Sequence, residues 1–291
     1  MKAKTNVRKP KWLKANTLGS VTTQRITKYL RKYNLNTVCE EAKCPNRGEC
    51  FERGTATFMI LGSVCTRNCA FCAVKKAQNI LPKPDPDEPE KIALLTKKLK
   101  LKHVVITTVT RDDLTDGGAG QFVKVIEKLR DLSNQDLTVE VLISDLKGNW
   151  EALTKIINAK PDVLNHNVET IARLYPQVRA MADFNRSLDL LRLAKQNNSK
   201  LITKSGFMVG LGEKYSEVIS LLKKLREVGV NFVTIGQYLQ PDKNHFPVKK
   251  FITPEIFEKY KEEAFRIGFE MVESGPLVRS SYKAEKVKKI I

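Results

Sequence analysis

Short apolar runs alternate with amphipathic segments along most of the chain. The apolar runs are rich in β-branched residues, as expected of parallel strands that are buried on both faces. They predict strands at Ala56–Val64, His103–Thr110, Thr138–Ser144, Val163–Val168, Leu201–Val209 and Phe232–Tyr238. Between them, apolar residues recur at helical spacing and predict helices at Pro89–Lys98, Gly120–Leu132, Trp150–Ile157, Asn185–Gln196 and Tyr215–Val228. This repeat of strand and helix predicts an α/β fold and a βα barrel.

The repeat has six units, where a complete barrel has eight. Two further helices are predicted outside it, at Val21–Tyr33 and Pro254–Ile267, and a turn is predicted at Glu273–Pro276. We therefore divide the chain into an N-terminal extension (residues 1–54), a barrel (55–245) and a C-terminal extension (246–291). Reactive groups are expected at the C-terminal ends of the barrel strands.

Length and hydrophobicity narrow the class of protein. The chain has 291 residues, of which 42% are hydrophobic, enough for one large α/β domain. No apolar run approaches the ~20 residues of a membrane span, and the first residues lack the apolar core of a secretory signal. We expect a cytoplasmic protein with no membrane partner. In that reducing compartment, six cysteines are better explained as ligands than as disulfides.

The chain carries a formal net charge of +19. Such an excess favours an acidic or polyanionic partner, although a lysine-rich composition without any partner explains it as well. The lysines are spread along the chain in small groups, and they do not form the basic block interleaved with aromatic residues that is typical of nucleic-acid binding. We therefore expect an acidic protein partner and no nucleic acid.

Three cysteines form a C-x3-C-x2-C pattern directly after the first predicted barrel strand: Cys65, Cys69 and Cys72. Three thiolates on one loop can hold three irons of a [4Fe–4S] cluster and leave the fourth iron open. A zinc site and three structural cysteines are the alternatives. Zinc usually takes four ligands in two spaced pairs, and no further Cys or His follows within twenty residues.

The other three cysteines form a C-x4-C-x5-C pattern just before that strand: Cys39, Cys44 and Cys50. Asn46 and Gly48 inside the pattern favour turns, so the backbone can wrap a compact ligand. All six cysteines thus fall into two triplets with none left over, which favours two separate clusters. A set of two zinc ions shared by both triplets is the alternative.

The polar motif 165–170 follows the fourth predicted strand. By strand alternation Asn165, Asn167 and Glu169 point into the barrel, where polar side chains need a partner such as a ribose or a substrate. His166 points the other way and is interpreted as a structural histidine. His103 and His245 belong to no motif and receive no role.

The two cysteine patterns together resemble the lipoyl synthase family, which belongs to the radical S-adenosylmethionine (SAM) superfamily. Phe71 before the last cysteine matches the superfamily's C-x3-C-x-aromatic-C signature. The resemblance extends along most of the chain, through the motifs Cys39–Asn46, Phe58–Gly62, Arg111–Leu114, Asp116–Ala119, Asn165–Thr170 and Arg279–Tyr282. It implies a partial (β/α)6 TIM-type barrel with N- and C-terminal extensions.

The resemblance also implies the reaction. The expected enzyme is a sulfurtransferase of the radical SAM class. It inserts sulfur at C6 and C8 of a protein-bound octanoyl-lysine to form the lipoyl group, with two [4Fe–4S] clusters and with SAM as cosubstrate. Cys65, Cys69 and Cys72 would bind the catalytic cluster. Cys39, Cys44, Cys50 and Ser280 would bind the second cluster, the sulfur source, with Ser281 as the other candidate serine.

Further residues are expected to contact SAM by the same resemblance. Thr107 would lie near its methionyl end, and Gly210 and Tyr238 near its adenine, beside the polar residues of the 165–170 motif.

The implied partners are an octanoylated lipoyl carrier domain (a 2-oxoacid dehydrogenase E2 subunit or a glycine cleavage H protein), an electron donor such as ferredoxin or flavodoxin, and an Fe–S carrier that rebuilds the second cluster.

Two other functions stay open. One is a radical SAM enzyme that methylthiolates RNA, although such enzymes usually carry an added RNA-binding domain, for which this chain has no room. The other is a non-enzymatic zinc or Fe–S protein that binds nucleic acid.

Overall fold

The structure is a computed structural model that describes residues 9–13, 21–41, 44, 46–132 and 136–289. Ala42, Lys43 and Pro45 of the first cysteine loop, and the first eight residues of the N-terminal extension, lie outside the described residues.

The helices and strands alternate as the sequence predicts. The α-helices, α1 to α10 in chain order, are Val21–Tyr33, Val38–Glu41, Arg47–Glu52, Glu88–Lys98, Ala119–Leu132, Trp150–Asn158, Tyr175–Val178, Phe184–Asn197, Tyr215–Glu227 and Pro254–Ile267. The strands, β1 to β10, are Asn36–Thr37, Thr55–Ile60, Val64–Cys65, Lys75–Lys76, His103–Thr108, Thr138–Leu142, Val163–Asn165, Ile202–Val209, Phe232–Gln237 and Met271–Gly275. Short 3-10 helices lie at Leu146–Gly148, Ala172–Leu174 and Ala284–Lys289. Within the described residues, no helix is long and apolar enough to span a bilayer.

An eight-stranded sheet organises the described part of the chain, in the order β1-β2-β5-β6-β7-β8-β9-β10. All neighbours from β2 to β10 are parallel, and β1 is antiparallel to β2. Successive helices pack against one another, α4 on α5, α5 on α6, α6 on α8 and α9 on α10. The six predicted βα units are therefore confirmed.

The structure corrects three local predictions. The turn predicted at Glu273–Pro276 is wrong up to Gly275, because β10 pairs in register with the exposed edge of β9. Gly48 was predicted in a turn and lies inside α3. The strand predicted to reach Val168 ends at Asn165, and the chain then turns so that Glu169 adopts a φ of 64°.

The two faces of the sheet differ in chemistry. Apolar side chains such as Val104, Ile106, Val139 and Val141 lie on the outer face and join the core formed with the helices. The inner face carries buried polar and charged residues on four neighbouring strands, and two of them, Asn165 and Lys204, are register partners. The four residues are His103, Glu140, Asn165 and Lys204.

The C-terminal segment 277–289 lies against the inner face. Val287 packs on Val163 and Ile202 near the start of β7 and β8. Glu285 accepts a hydrogen bond from Thr55 at the start of β2, and Lys286 pairs with Glu273 on β10. The segment therefore links strands from both sides of the sheet.

Candidate active site and cysteine centres

The second cysteine loop, residues 65–72 with Cys65, Cys69 and Cys72, follows the C-terminal end of β2, where a βα barrel places its reactive groups. Its backbone is held from three directions. Thr66 donates its N–H to Thr110 O (2.9 Å), Ala70 donates to Val178 O (2.9 Å), and Phe246 donates to Ala70 O (2.8 Å). The loop is thus fixed by segments that follow three different strands.

Arg67 anchors the same loop through its side chain, which is only 3% exposed. The guanidinium donates two hydrogen bonds to Asp112, at 2.7 and 2.9 Å, and a third to Asp145 at 2.5 Å. Asp112 follows β5 and Asp145 follows β6, so one arginine fixes the loop to two neighbouring strand ends. Bidentate pairing of this kind sets geometry as well as energy.

The last cysteine of the loop is held at its carbonyl. Cys72 O accepts hydrogen bonds from Lys76 Nζ (2.9 Å) and from His245 Nε2 (3.1 Å). The other ring nitrogen of His245 lies 2.9 Å from Asp242 Oδ1, which orients the imidazole. A segment after β9 therefore closes over the cysteine loop.

The three thiols of this loop influence one another. Burial raises the pKa of Cys69 to about 11, opposed by Arg179, with smaller contributions from Cys72, Glu169 and Cys65. Burial likewise raises the pKa of Cys72, against the nearby charge of Lys76. Buried thiols that stay protonated alone become thiolates on binding a metal, because the positive ion compensates their charge.

The first cysteine triplet is also brought together. Burial raises the pKa of Cys39 to about 12, with a contribution from Cys44. Burial, Cys39 and Cys44 all raise the pKa of Cys50. Cys39 lies in α2 and Cys50 in α3, and the loop between them carries Cys44. All six cysteines are free thiols.

Among the described side chains, no three Cys, His, Asp or Glu residues are grouped as ligands of a single ion. Three thiolates on one zinc ion would lie about 3.8 Å apart, given Zn–S bonds of about 2.3 Å. Each triplet supplies three free thiols that act on one another, and three soft thiolate donors match the protein ligands of one [4Fe–4S] cluster.

The C-terminal segment reaches the first triplet. Asn46, between Cys44 and Cys50, donates a hydrogen bond to Leu277 O at 2.6 Å. Tyr282 OH lies 3.3 Å from Glu49, the residue before Cys50. The charge of Arg279 opposes the burial that raises the pKa of Cys44.

Ser280 lies on this segment and turns its hydroxyl towards the inner face of the sheet. Its Oγ accepts a hydrogen bond from Asn165 Nδ2 (2.9 Å) and donates one to Asn167 Oδ1 (3.0 Å). The structure therefore joins Ser280 to two of the predicted polar residues through hydrogen bonds.

A fully buried charged cluster lies below these asparagines. Lys204 Nζ lies 3.0 and 3.2 Å from the two oxygens of Glu140. The same carboxylate accepts from Asn165 Nδ2 at 2.8 Å and lies 3.3 Å from His103 Nε2. Burial raises the pKa of Glu140, but Lys204 and His103 outweigh it and hold the pKa near 2. We call this cluster of Lys204, Glu140, Asn165 and His103 the charged floor.

Glu169 lies close to the second cysteine loop. Burial raises its pKa, opposed by Arg179 and by a hydrogen bond from Asn167, and its charge acts on both Cys69 and Cys72. Glu169 of the 165–170 motif therefore lies close to the thiols of Cys69 and Cys72.

The other residues predicted to contact SAM make hydrogen bonds or close contacts within the protein. Thr107 donates its hydroxyl to Leu142 O at 2.9 Å, and Tyr238 donates to Phe246 O at 2.6 Å. Gly210 has a φ of 94°, and a Cβ there would overlap the side chain of Gln237. These three residues therefore contact neighbouring parts of the protein, Leu142, Phe246 and Gln237.

His166 is buried, and its Nε2 has no hydrogen-bond partner among the described residues, so the structural role inferred from the sequence rests on its Nδ1 alone. One ring nitrogen lies 2.9 Å from Ile143 O, and burial together with Arg179 lowers its pKa to about 4.

Sequence reasoning missed Arg67, Arg179 and His245. Arg67 lies inside the cysteine pattern, which was the one signal that could have drawn attention to it.

The chain is similar to known proteins over nearly its whole length. A family model described as the Radical SAM superfamily matches residues 59–225. The chain is 54% identical over 284 residues to a lipoyl synthase from Caldicellulosiruptor saccharolyticus, which covers 98% of this chain and 99% of that protein. It is 52% identical over 277 residues to a lipoyl synthase from Alkaliphilus metalliredigens, which covers 95% of this chain and 94% of that protein.

Solved structures share the fold. Methylornithine synthase (PylB) superimposes with a TM-score of 0.54 at 14% identity, over 88% of this chain and 79% of that one. TYW1 with a lysine–pyruvate adduct superimposes with a TM-score of 0.55 at 16% identity, over 84% and 89%. At these identities the likeness concerns the fold alone, and the predicted partial TIM-type barrel is confirmed.

Proposed function

The chain belongs to the lipoyl synthase family of the radical SAM superfamily, and we propose on that premise which of its residues carry out the reaction. The protein is a radical SAM enzyme that inserts two sulfur atoms, at C6 and C8, into a protein-bound octanoyl-lysine to form the lipoyl cofactor. It uses SAM and a [4Fe–4S] cluster, and its substrate is presented by a lipoyl carrier protein.

Cys65, Cys69 and Cys72 are proposed to hold the catalytic cluster. When bound, this cluster and SAM supply the 5′-deoxyadenosyl radical that removes hydrogen from an unactivated carbon. The protein's own task is positioning: Arg67 and His245 hold the loop from either side, at the distances given above. No acid–base pair is needed for such chemistry, which agrees with the neutral, structural state of His166.

Asn167 and Glu169 are proposed to bind the polar groups of SAM. Glu169 lies beside the second cysteine loop and Asn167 hydrogen-bonds to it, and the carboxylate of Glu169 can be satisfied by an amine or a ribose hydroxyl. Asn165 Oδ1 is buried and lacks a partner among the described residues, so a bound hydroxyl would satisfy it. Thr107, Gly210 and Tyr238 are proposed to form the walls of the same site.

Cys39, Cys44, Cys50 and Ser280 are proposed to hold a second [4Fe–4S] cluster that donates the sulfur. One observation carries this proposal: the segment with Ser280 touches the first cysteine loop at Asn46 and the inner face at Asn165. A hydroxyl is a harder ligand than a thiolate and holds iron less firmly, which suits a cluster that gives up its sulfide.

The remaining parts of the proposal concern partners. An Fe–S carrier would rebuild the second cluster after each turnover, and ferredoxin or flavodoxin would deliver electrons. Six free thiols that must stay reduced support a cytoplasmic location. We also propose that the chain divides at residues 54 and 245 into parts with different chemical roles. The two extensions nevertheless contribute β1 and β10 to the same sheet as the barrel strands.

The test is the iron and sulfide content of anaerobically reconstituted protein. We expect about eight irons per chain in the native protein and about four in a C65A/C69A/C72A variant and in a C39A/C44A/C50A variant. The first variant should fail to cleave SAM, and the second should cleave SAM without forming lipoyl product on an octanoylated carrier. Four irons in the native protein, all lost in one of the variants, would refute the second cluster.

A further inference from the structure

We propose that the segment 75–83, here called the basic loop, is the surface on which an acidic one-electron donor protein docks. The inference rests on the proposed function, because each cleavage of SAM consumes one electron from outside the protein. The donor is oxidised by one electron and SAM is reduced by it, so the S–C5′ bond breaks, methionine leaves and the other fragment is the 5′-deoxyadenosyl radical.

The basic loop is joined to the catalytic cysteines by its backbone. Its first two residues form β4, which pairs with β3 so that Lys76 lies opposite Cys65. Ala77 donates its N–H to Cys65 O at 2.8 Å, and Lys76 Nζ donates to Cys72 O at 2.9 Å. The path from this surface to two cysteine ligands is therefore one hydrogen bond and a few covalent bonds.

The far end of the loop is also fixed. Arg111 donates a hydrogen bond to Pro82 O at 2.9 Å, and the same guanidinium is held by Asp113 and by Leu61 O. The residues between Ala77 and Pro82 thus project from two anchored ends, which makes the loop a preformed surface.

The charge of this surface selects an acidic partner. Lys75 and Lys83 are exposed, and neither forms an ion pair within the part of the chain that the structure describes. The acidic residues that follow are largely engaged: Asp85 pairs with Lys91 at 2.8 Å, and Glu90 pairs with Lys128 at 3.2 Å. Unpaired cations at a surface steer an oppositely charged protein and set its orientation.

Ile80 gives the surface an apolar centre. Its side chain is 100% exposed, whereas the other exposed large hydrophobic residues that the structure describes are between 36% and 52% exposed. An exposed apolar side chain in a loop with an exposed lysine at each end matches the usual anatomy of a protein interface, with an apolar centre and a polar rim. The carrier protein is the competing occupant. We favour the donor because the loop contacts the cluster ligands, whereas the octanoyl chain must enter the barrel.

The experiment compares two electron sources on the reconstituted enzyme. Lys75→Glu/Lys83→Glu and Ile80→Ser are assayed for 5′-deoxyadenosine formation with reduced flavodoxin and, separately, with dithionite. The control is Lys200→Glu/Lys259→Glu, which makes the same charge change at exposed lysines elsewhere. All the substitutions are at exposed positions and should leave folding unchanged.

We expect the flavodoxin-driven rate of the double variant to fall at least tenfold at low salt and the difference to shrink at high salt. Its dithionite-driven rate should stay within twofold of native, and the control should match native with both reductants. An unchanged flavodoxin rate, an equal loss in the control, or a loss with dithionite would overturn the proposal. A raised KM for octanoylated carrier with an unchanged flavodoxin rate would assign the loop to the carrier instead. Failure of the proposed function is distinct, since the native enzyme would then form no 5′-deoxyadenosine with either reductant.

Discussion

Lys204→Met tests the charged floor most directly, because the substitution keeps the volume of the side chain and removes its charge. Lys204 and Glu140 are both 0% exposed, and their charged atoms lie 3.0 Å apart. The variant leaves Glu140 as a buried carboxylate with only His103 and Asn165 as neighbours. Breaking a buried pair in this way costs about 3–5 kcal/mol, because the remaining charge stays desolvated.

For a chain of this length, 1 kcal/mol corresponds to about 2 °C in Tm, so we expect a decrease of about 6–10 °C. The measurement is thermal unfolding of reconstituted protein followed by circular dichroism. Lys200→Met, at an exposed lysine nearby in sequence, should change the free energy of unfolding by less than about 0.5 kcal/mol. A Glu140→Gln/Lys204→Met double variant should recover most of the loss, because no buried charge remains.

The pH dependence of stability gives an independent check, because native protein and Lys204→Met should respond to a falling pH in opposite directions. In the native protein the pKa of Glu140 is lowered from 4.5 to about 2, so its stabilisation is complete above pH 4.5 and is lost as the pH falls towards 2. In Lys204→Met, burial is opposed by fewer charges and raises that pKa, so the variant should regain stability as the pH falls from 8 to 5. A Tm within 2 °C of native, or a double variant no more stable than the single one, would refute the reasoning.

Three further predictions follow from single contacts. Arg67→Gln removes the main cation from the fully buried Asp145, which then keeps only Arg186, at 3.7 Å, among the cations that the structure describes, and from the partly buried Asp112, so the free energy of unfolding should fall by about 3 kcal/mol and a chelator should remove iron faster; unchanged iron release would contradict this. Gly236→Ala places a Cβ against the Val278 carbonyl and should cost about 1–3 kcal/mol in unfolding free energy, whereas Gly275→Ala, with its nearest contact at 3.4 Å, should cost less; equal losses would contradict this. The pKa of His166 is lowered from 6.5 to about 4, so the free energy of unfolding should fall by up to about 3 kcal/mol as the pH is lowered from 6.5 to 4. His166→Gln should flatten this pH dependence in urea titrations, and an unchanged pH dependence in the variant would contradict the reasoning.

The parallel sheet could be predicted because its outer face is apolar along most of its strands. Val104, Ile106, Val139 and Val141 give the β-branched pattern, and the helices supply matching apolar faces. The end of β7 could not be predicted, because Asn167 and Glu169 continue the alternation after the strand has ended at Asn165. Glu169 then forms an isolated bridge with Phe207 of β8 at a positive φ, which no local pattern records.

The cysteine centres could be predicted because each triplet is local in sequence, so spacing alone brings the thiols together. The residues that hold them could not. Arg67 meets Asp112 across 45 residues, and His245 meets Cys72 across 173. A histidine without a motif gains its role only when the fold delivers the segment after β9 to the cysteine loop. Gln237, the neighbour for which Gly210 leaves space, could not be predicted either, because the two residues are remote in sequence.

The C-terminal segment places Ser280 through contacts that are all remote in sequence. Asn46 bonds Leu277 across 231 residues, and Asn165 bonds Ser280 across 115. Val287 packs on Val163 and adds a contact of similar span. Such contacts form only after the partners they join are in place, because closing a long loop costs chain entropy before any contact compensates it. We therefore expect the serine to dock late, onto an inner face and a first cysteine loop that are already assembled.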